Sequence, residues 1–354
     1  MEIIEEIRIR KIKNSRAEEL DSSKLDFGSF TSDHMFICKY HNDEWQDMEI
    51  TPYENLSLSP ATIALHYGQS IFEGMKAFRM EDDRINIFRI EKHHERLSRS
   101  LDRMCMPPIS LQLFSSALKQ LVKLDQDWVP SLEGASLYIR PLIFASEGRF
   151  GFKVSDEYIF LIFTGPVAPF FSKPLKLKVE REFIRAAKGG TGYAKCAGNY
   201  GGAFYPTQLA RLEGYDQVLW TDAKTNEFIE ESGMMNVMFV INDVLITPPL
   251  SDSILDGITR DSLLKIAADM GVAYEERPIS ISELTDAFLH KKISEAFGTG
   301  TAAIVAPIST INIDGWDFIL PPYTNNQLMF RLKNKLDNIR FGKEEDKFGW
   351  NTVL

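Results

Sequence analysis

Eight short apolar runs, HMFICKY, INIFRI, SLYIRPLIFA, EYIFLIF, LKLKV, DQVLW, NVMFVI and VLITP, constrain the fold more than any other feature of the chain. Each is a few residues long, rich in β-branched and aromatic side chains, and bounded by polar residues, glycine or proline, which is how strands read rather than helices. None approaches the roughly 18 consecutive apolar residues that a membrane span needs. Helical spacing appears between them. Leu97, Leu101 and Met104 share a face after Glu91, and Phe114, Ala117, Leu118 and Leu121 share one after Ser110, whose hydroxyl suits a helix N-cap. Further helices are expected over 259–270 and 325–339. Strands in groups with helices between the groups predict an α+β architecture. A chain of 354 residues exceeds one ordinary core, so two domains are expected. Proline and glycine cluster after a strand in TGPVAPFFSKP. The expected division is therefore a smaller N-terminal domain over 1–167, a linker over 168–181 and a larger C-terminal domain over 182–354, with a cleft between the domains as the default ligand site.

Charge and cysteine usage narrow the function. Forty basic against 50 acidic residues give a net charge of −10, which argues against a nucleic-acid surface or a polybasic membrane anchor and leaves small molecules as the expected partners. The acidic start, MEIIEEIRIRK, lacks the apolar segment of a signal peptide, so a cytoplasmic protein is expected. The cysteines, Cys38, Cys105 and Cys196, lack the paired spacing of a disulfide framework or a zinc site, and no metal is expected.

Several motifs could carry chemistry. In KGGTGYAKCAGNYGGAF, Lys195 sits among glycines and alanines; such a loop is either an ordinary turn with a solvated lysine or a close backbone approach that delivers an amine to a ligand. Its spacing fails the nucleotide-phosphate loop, because Lys195 is followed by cysteine. GTGTAA, 298–303, has dinucleotide-fingerprint spacing, but Pro307 cuts any following helix to about one turn and ISTINIDGW looks extended, so a nicotinamide-dependent dehydrogenase is a remote alternative. LDGITRDSLLKIAADMG puts glycine just before a helix, whose first N–H groups can receive an anion. In FIEESGMMNVMFV, Glu230 reads as part of a solvated turn, whereas an inward Glu231 needs a cationic or proton-bearing partner.

Taken together, LHYGQSIFEGMKAFR, LYIRP, KCAGNYGG, ESGMMN, TPPL with LDGITR, and FGTGTA resemble the branched-chain amino acid aminotransferases, pyridoxal-phosphate enzymes of fold type IV. The likeness covers nearly the whole chain after about residue 25, in order and spacing. It implies the two-domain fold type IV architecture, similar to D-amino acid aminotransferase, with pyridoxal 5'-phosphate in the cleft between domains. It implies that Lys195 forms the Schiff base, that Glu231 pairs with the pyridine nitrogen, and that Tyr200 bonds the ring oxygen. Arg96, Ile258, Thr259 and Thr301 would hold the phosphate. Tyr67, Phe72, Tyr138, Arg140, Gly300, Thr301 and Ala302 would line the substrate pocket. The implied reaction moves the amino group between L-leucine, isoleucine or valine and 2-oxoglutarate, yielding glutamate, in a homodimer. D-amino acid aminotransferase and aminodeoxychorismate lyase are the alternatives of the same fold. The chain departs from the family pattern at Met234, where threonine is common, and at Phe170, where mammalian members carry tyrosine. Ala303 and Ala306 replace the mammalian C-x-x-C pair.

Overall fold

A computed structural model describes residues 6–19, 25, 27–169 and 173–354. Phe170 therefore lies outside the described residues. The chain divides into two compact units: 1–170 with 194–197 and 338–354, and 171–193 with 198–337.

The first unit is built on a nine-stranded sheet. Its strands are β1 (Arg8–Ile9), β2 (His34–His41), β3 (Glu44–Pro52), β4 (Ser70–Phe72), β5 (Met75–Arg79), β6 (Ile85–Phe88), β7 (Ser136–Ala145) and β8 (Tyr158–Val167), with a closing strand at Asn351–Val353. They run in the order β1-β3-β2-β8-β7-β5-β6 and then the closing strand, while β4 pairs with β7. Helices α1 (Ile63–Tyr67), α2 (Ile90–Arg103) and α3 (Leu111–Leu124) complete the unit. Leu97 and Leu101 of α2 and Phe114, Leu118 and Leu121 of α3 join Phe36, Ile139 and Phe160 of the sheet in one core. Ser110 caps α3 as expected, its Oγ accepting from Leu113 N at 3.2 Å. The apolar face foreseen for α2 is present, yet it also buries His93, Arg96 and Ser100.

The second unit has its own nine-stranded sheet. It comprises β9 (Leu175–Glu180), β10 (Gln217–Thr221), β11 (Ile229–Ser232), β12 (Met235–Ile241), β13 (Val244–Thr247), β14 (Tyr274–Glu276), β15 (Ile293–Thr299), β16 (Ala306–Ile313) and β17 (Trp316–Ile319). Around it lie α4 (Gly198–Gly201), α5 (Phe204–Leu212), α6 (Ile258–Asp269) and α7 (Ile281–Leu289); α8 (Leu328–Arg340) follows. Strands β9, β10 and β16 pair in parallel, and β12, β15 and β16 pair antiparallel. Leu177, Val237, Phe239, Phe297 and Ile311 are fully buried in this sheet. The GTGTAA stretch turns directly from β15 into β16, so strand follows strand and no dinucleotide helix exists there.

The topology differs from the expected division in three places. Residues 175–180 are no linker, because β9 pairs with both β10 and β16. The last residues do not join the second unit: Asn351–Val353 pairs with β6, and Asn86 Nδ2 donates to Arg340 O at 3.0 Å. Residues 194–197, with Lys195 among them, belong to the first unit although the chain on both sides belongs to the second. Each of these contacts joins residues far apart in sequence, and short runs such as NTV carry no local signal of their partners.

Candidate active site

Lys195 lies in a fixed extended segment, so the solvated-turn reading does not hold. Cys196 bridges Ile71 of β4 in antiparallel fashion. Phe72 N donates to Lys195 O at 3.0 Å, and Ala197 N donates to Ser70 O at 3.0 Å. Lys195 N in turn donates to Ser100 Oγ at 2.9 Å. The side chain is half-buried, with Nζ 4.7 Å from the Phe72 ring centroid.

Tyr138 and Arg140 lie two apart on β7 and so face the same way. Arg140 Nη2 donates to Tyr138 Oη at 2.9 Å, and its guanidinium carbon sits 4.8 Å from the Phe72 ring centroid and 5.2 Å from that of Tyr138. Arg140 Nε is buried and has no hydrogen-bond partner among the described residues, an orphan donor in a site expected to take a carboxylate. Gly74 makes room for this cluster, since a Cβ there would stand 2.3 Å from Tyr138 Oη. The structure thus brings Lys195, Phe72, Tyr138 and Arg140 together. Tyr67 turns to another loop, where its Oη donates to Phe150 O at 2.6 Å and its ring meets Phe152 edge-on at 5.5 Å.

Arg96 is buried in α2, and Glu73 explains how. Arg96 Nε donates to Glu73 Oε1 and Nη2 to Oε2, both at 2.7 Å, and His93 Nδ1 meets Oε2 at 2.8 Å. Burial by itself would raise the Glu73 carboxyl, but the Arg96 charge and the bonds from Arg96 and His93 hold it well below the usual carboxylate range. Burial pushes the His93 imidazole down to about 4 against the pull of Glu73, so it is neutral at neutral pH. The Arg96 guanidinium is therefore held in place by Glu73, which takes both Nε and Nη2.

In the second unit, Glu231 is buried, and the cationic partner that an inward carboxylate needs is Arg185, whose Nε lies 3.0 Å from Oε2. Oε1 accepts from Leu255 N at 2.6 Å, and Asn236 Nδ2 lies 3.4 Å from the same oxygen. Tyr200 and Glu231 line one small cavity with Arg185, Asn199, Met234 and Leu255. Glu230, read from sequence as solvated, is buried instead. All of β11 is covered, and Glu230 accepts from Ser253 Oγ while burial pushes its carboxyl up. Ile258 and Thr259 open α6 behind the N-cap Gly257. A Cβ on Gly257 would meet Asn236 Oδ1 at 1.9 Å, so the close approach itself demands glycine. Gly300, Thr301 and Ala302 form the turn between β15 and β16, closed by Gly300 N donating to Ala303 O at 3.0 Å. Met235 supports that turn, because a Cβ on Gly298 would lie 2.7 Å from its Cε.

Sequence reasoning missed Glu73, His93, Ser100, Arg185 and Asn236. Glu73 carried a signal in hindsight: a carboxylate inside the apolar run SIFEGMKAF must be paired if buried. His93 and Ser100 stand three before and four after Arg96, the spacing of one helix face.

A model of the amino-transferase class IV family matches residues 70–311. Branched-chain-amino-acid aminotransferase 2 of Bacillus subtilis (strain 168) is 42% identical over 348 residues, covering 97% of this chain and 96% of that protein. The chain belongs to the class IV aminotransferases, in the branched-chain-amino-acid aminotransferase family. Solved structures agree. The branched-chain aminotransferase of Thermoproteus uzoniensis, crystallised with norvaline, is 27% identical with a TM-score of 0.72, over 90% of this chain and 99% of that one. The branched-chain amino acid aminotransferase from Escherichia coli is 26% identical with a TM-score of 0.71, over 90% of this chain and 98% of that one. Within this aminotransferase the matched span contains Lys195, Arg96, Tyr200, Glu231 and the α6 N-terminus.

Proposed function

We propose that this aminotransferase moves the amino group between L-leucine, isoleucine or valine and 2-oxoglutarate, with pyridoxal 5'-phosphate as cofactor. The observation that carries the reading is the cluster around Phe72. A lysine amine and an arginine fork both lie against one aromatic ring, so an apolar wall and a carboxylate receptor stand beside the reactive nitrogen.

The donor set fits the cofactor chemically. In the first unit the Arg96 guanidinium, whose Nε and Nη2 are held by Glu73, keeps its positive charge for an anion; in the second, the first N–H groups of α6 and the Thr259 and Thr301 hydroxyls are donors of the kind a phosphate dianion takes. Glu231, anchored by Leu255 N and Arg185, suits a protonated pyridine nitrogen, and Tyr200 suits the ring oxygen. When bound, the cofactor supplies the sink for the electron pair left at the substrate α-carbon. Lys195 would hold the cofactor through its side-chain amine, and that amine, once free, would take the proton at the substrate α-carbon. Phe72 and Tyr138 would keep water from the aliphatic side chain, Arg140 would receive the distal carboxylate of glutamate, and the Gly300–Ala302 turn would offer backbone groups to the substrate, whereas Tyr67, bonded to Phe150 O, takes no part in that wall. We further propose, on the family resemblance, that the enzyme is a cytoplasmic homodimer; among the described residues no helix is long and apolar enough to cross a membrane.

The test is a half-reaction panel of L- and D-amino acids followed through cofactor absorbance, with Lys195→Ala as control. Branched aliphatic L-amino acids and L-glutamate should react, and Lys195→Ala should bind cofactor yet lose nearly all turnover. Preference for D-alanine, or for aspartate over leucine, would overturn the reading.

A further inference from the structure

Ser100 is fully buried on α2, one turn after Arg96. Its hydroxyl does two things at once. It donates to Arg96 O at 3.0 Å and accepts from Lys195 N at 2.9 Å. A serine hydroxyl carries one donor and two acceptor sites, so both bonds coexist without competition. Lys195 is held from its other side by Phe72 N on its carbonyl, and Phe72 directly precedes Glu73, the carboxylate that fixes the Arg96 side chain. The backbone of the lysine and the backbone and side chain of the arginine are thus tied into one frame by three residues: Phe72, Glu73 and Ser100.

We propose that Ser100 is a positioning residue that sets the main chain of Lys195 against the turn of α2 carrying Arg96. The inference rests on the preceding reading of Lys195 and Arg96 as the covalent and phosphate-holding residues of one cofactor. Without the hydroxyl, the Lys195 N–H loses its bond to α2, and the amine rides on a looser backbone. Small displacements of a reacting nitrogen slow reaction more than they weaken substrate binding.

Ser98 supplies the control. Its Oγ donates to His94 O at 2.9 Å, the same bond back along the helix, without a link to Lys195. The experiment compares the full-length, cofactor-loaded protein with Ser100→Ala, Ser100→Cys and Ser98→Ala. Two quantities are read: amide hydrogen exchange of peptides covering 194–197 by mass spectrometry, and single-turnover rates with L-leucine.

Loss of a buried bond predicts exchange at 194–197 about 10-fold faster or more in Ser100→Ala. The turnover rate should fall by about the same factor while KM stays within about twofold. Ser100→Cys fills the space with a weakly bonding thiol and should lie between, and it decides the matter if the alanine variant does not fold. Ser98→Ala should match the unsubstituted protein. Unchanged exchange at 194–197 in a folded Ser100 variant, or an equal rise in Ser98→Ala, overturns the inference. Failure of the functional reading looks different: borohydride would then trap no cofactor on Lys195 of the unsubstituted protein.

Discussion

Replacing Glu73 by glutamine should be among the most destabilising single changes in the first unit. The Glu73 side chain has 0% exposure and that of Arg96 4%, and the carboxylate takes two bonds of 2.7 Å from the guanidinium. Glutamine keeps the shape but offers one acceptor, and turns its amide N–H groups toward the donors of Arg96 and His93. A buried cation is then left without its counter-charge, which costs about 3–5 kcal/mol when one partner of such a pair is removed. Because glutamine can still accept from one donor, the lower end, about 3 kcal/mol, is the expected loss. That is a large share of the roughly 5–15 kcal/mol that holds a domain together. Urea unfolding of the full chain, followed by tryptophan fluorescence, measures it as a lowered midpoint at unchanged slope. The pairing makes a sharper demand. Glu73→Gln combined with Arg96→Met removes the orphaned charge as well, so the double variant should be more stable than Glu73→Gln alone. A loss below about 1 kcal/mol in the single variant, or a double variant no better than the single, would refute the electrostatic account.

Other consequences follow from the same geometry. His93 has a folded pKa near 4 against an ordinary value of 6.5, so the unfolded chain binds the proton first as pH falls. Its contribution is therefore intact above pH 6.5 and lost by pH 4, about 3 kcal/mol in all; pH-dependent urea midpoints should show this slope, and His93→Gln should flatten it. Arg140→Met removes the proposed carboxylate receptor but leaves the aromatic wall, so single-turnover rates should fall about 10–100-fold for glutamate and far less for leucine. Gly257→Ala drives a methyl into Asn236 Oδ1, 1.9 Å away, and should weaken cofactor affinity about 10-fold or more by equilibrium titration while α6 remains helical by circular dichroism. Cys38 and Cys196 are buried and Cys105 is exposed, and Ala303 and Ala306 cannot form thiolates, so mild peroxide should leave activity intact and mass spectrometry should find no intramolecular disulfide.

Local signals made much of this legible. Run length with β-branched and aromatic content marked the long strands, Ser110 marked the start of α3, and the α6 prediction over 259–270 missed the observed bounds by one residue at each end. What sequence alone could not read was non-local. The closing strand at Asn351–Val353 is three residues without an apolar run, and only its pairing with β6 places it in the first unit. Segment 194–197 is claimed by Ser70, Phe72 and Ser100, about a hundred or more residues earlier in the chain. The reading of Glu230 as solvated failed because adjacent acids usually belong to exposed turns, whereas β11 is buried along its whole length and Ser253, from the turn after β13, donates to Glu230.

The face of α2 shows why the site residues escaped periodicity while the helix did not. A 3.6-residue repeat brings His93, Arg96, Leu97, Ser100 and Leu101 to the same buried side. An apolar count sees only the two leucines and assigns the charged and polar members to solvent by default. Burial is possible because each polar member has a partner from elsewhere: Glu73 for His93 and Arg96, and Lys195 N for Ser100. The leucines hold the helix in the core, and Glu73 and Lys195 N then fix the arginine side chain and the serine hydroxyl upon it. Positions three and four apart on a helix lie about 5–6 Å from one another. One rigid element thereby sets the spacing between the guanidinium held by Glu73 and the hydroxyl bonded to Lys195 N, the two groups to which the proposed roles in cofactor binding are assigned.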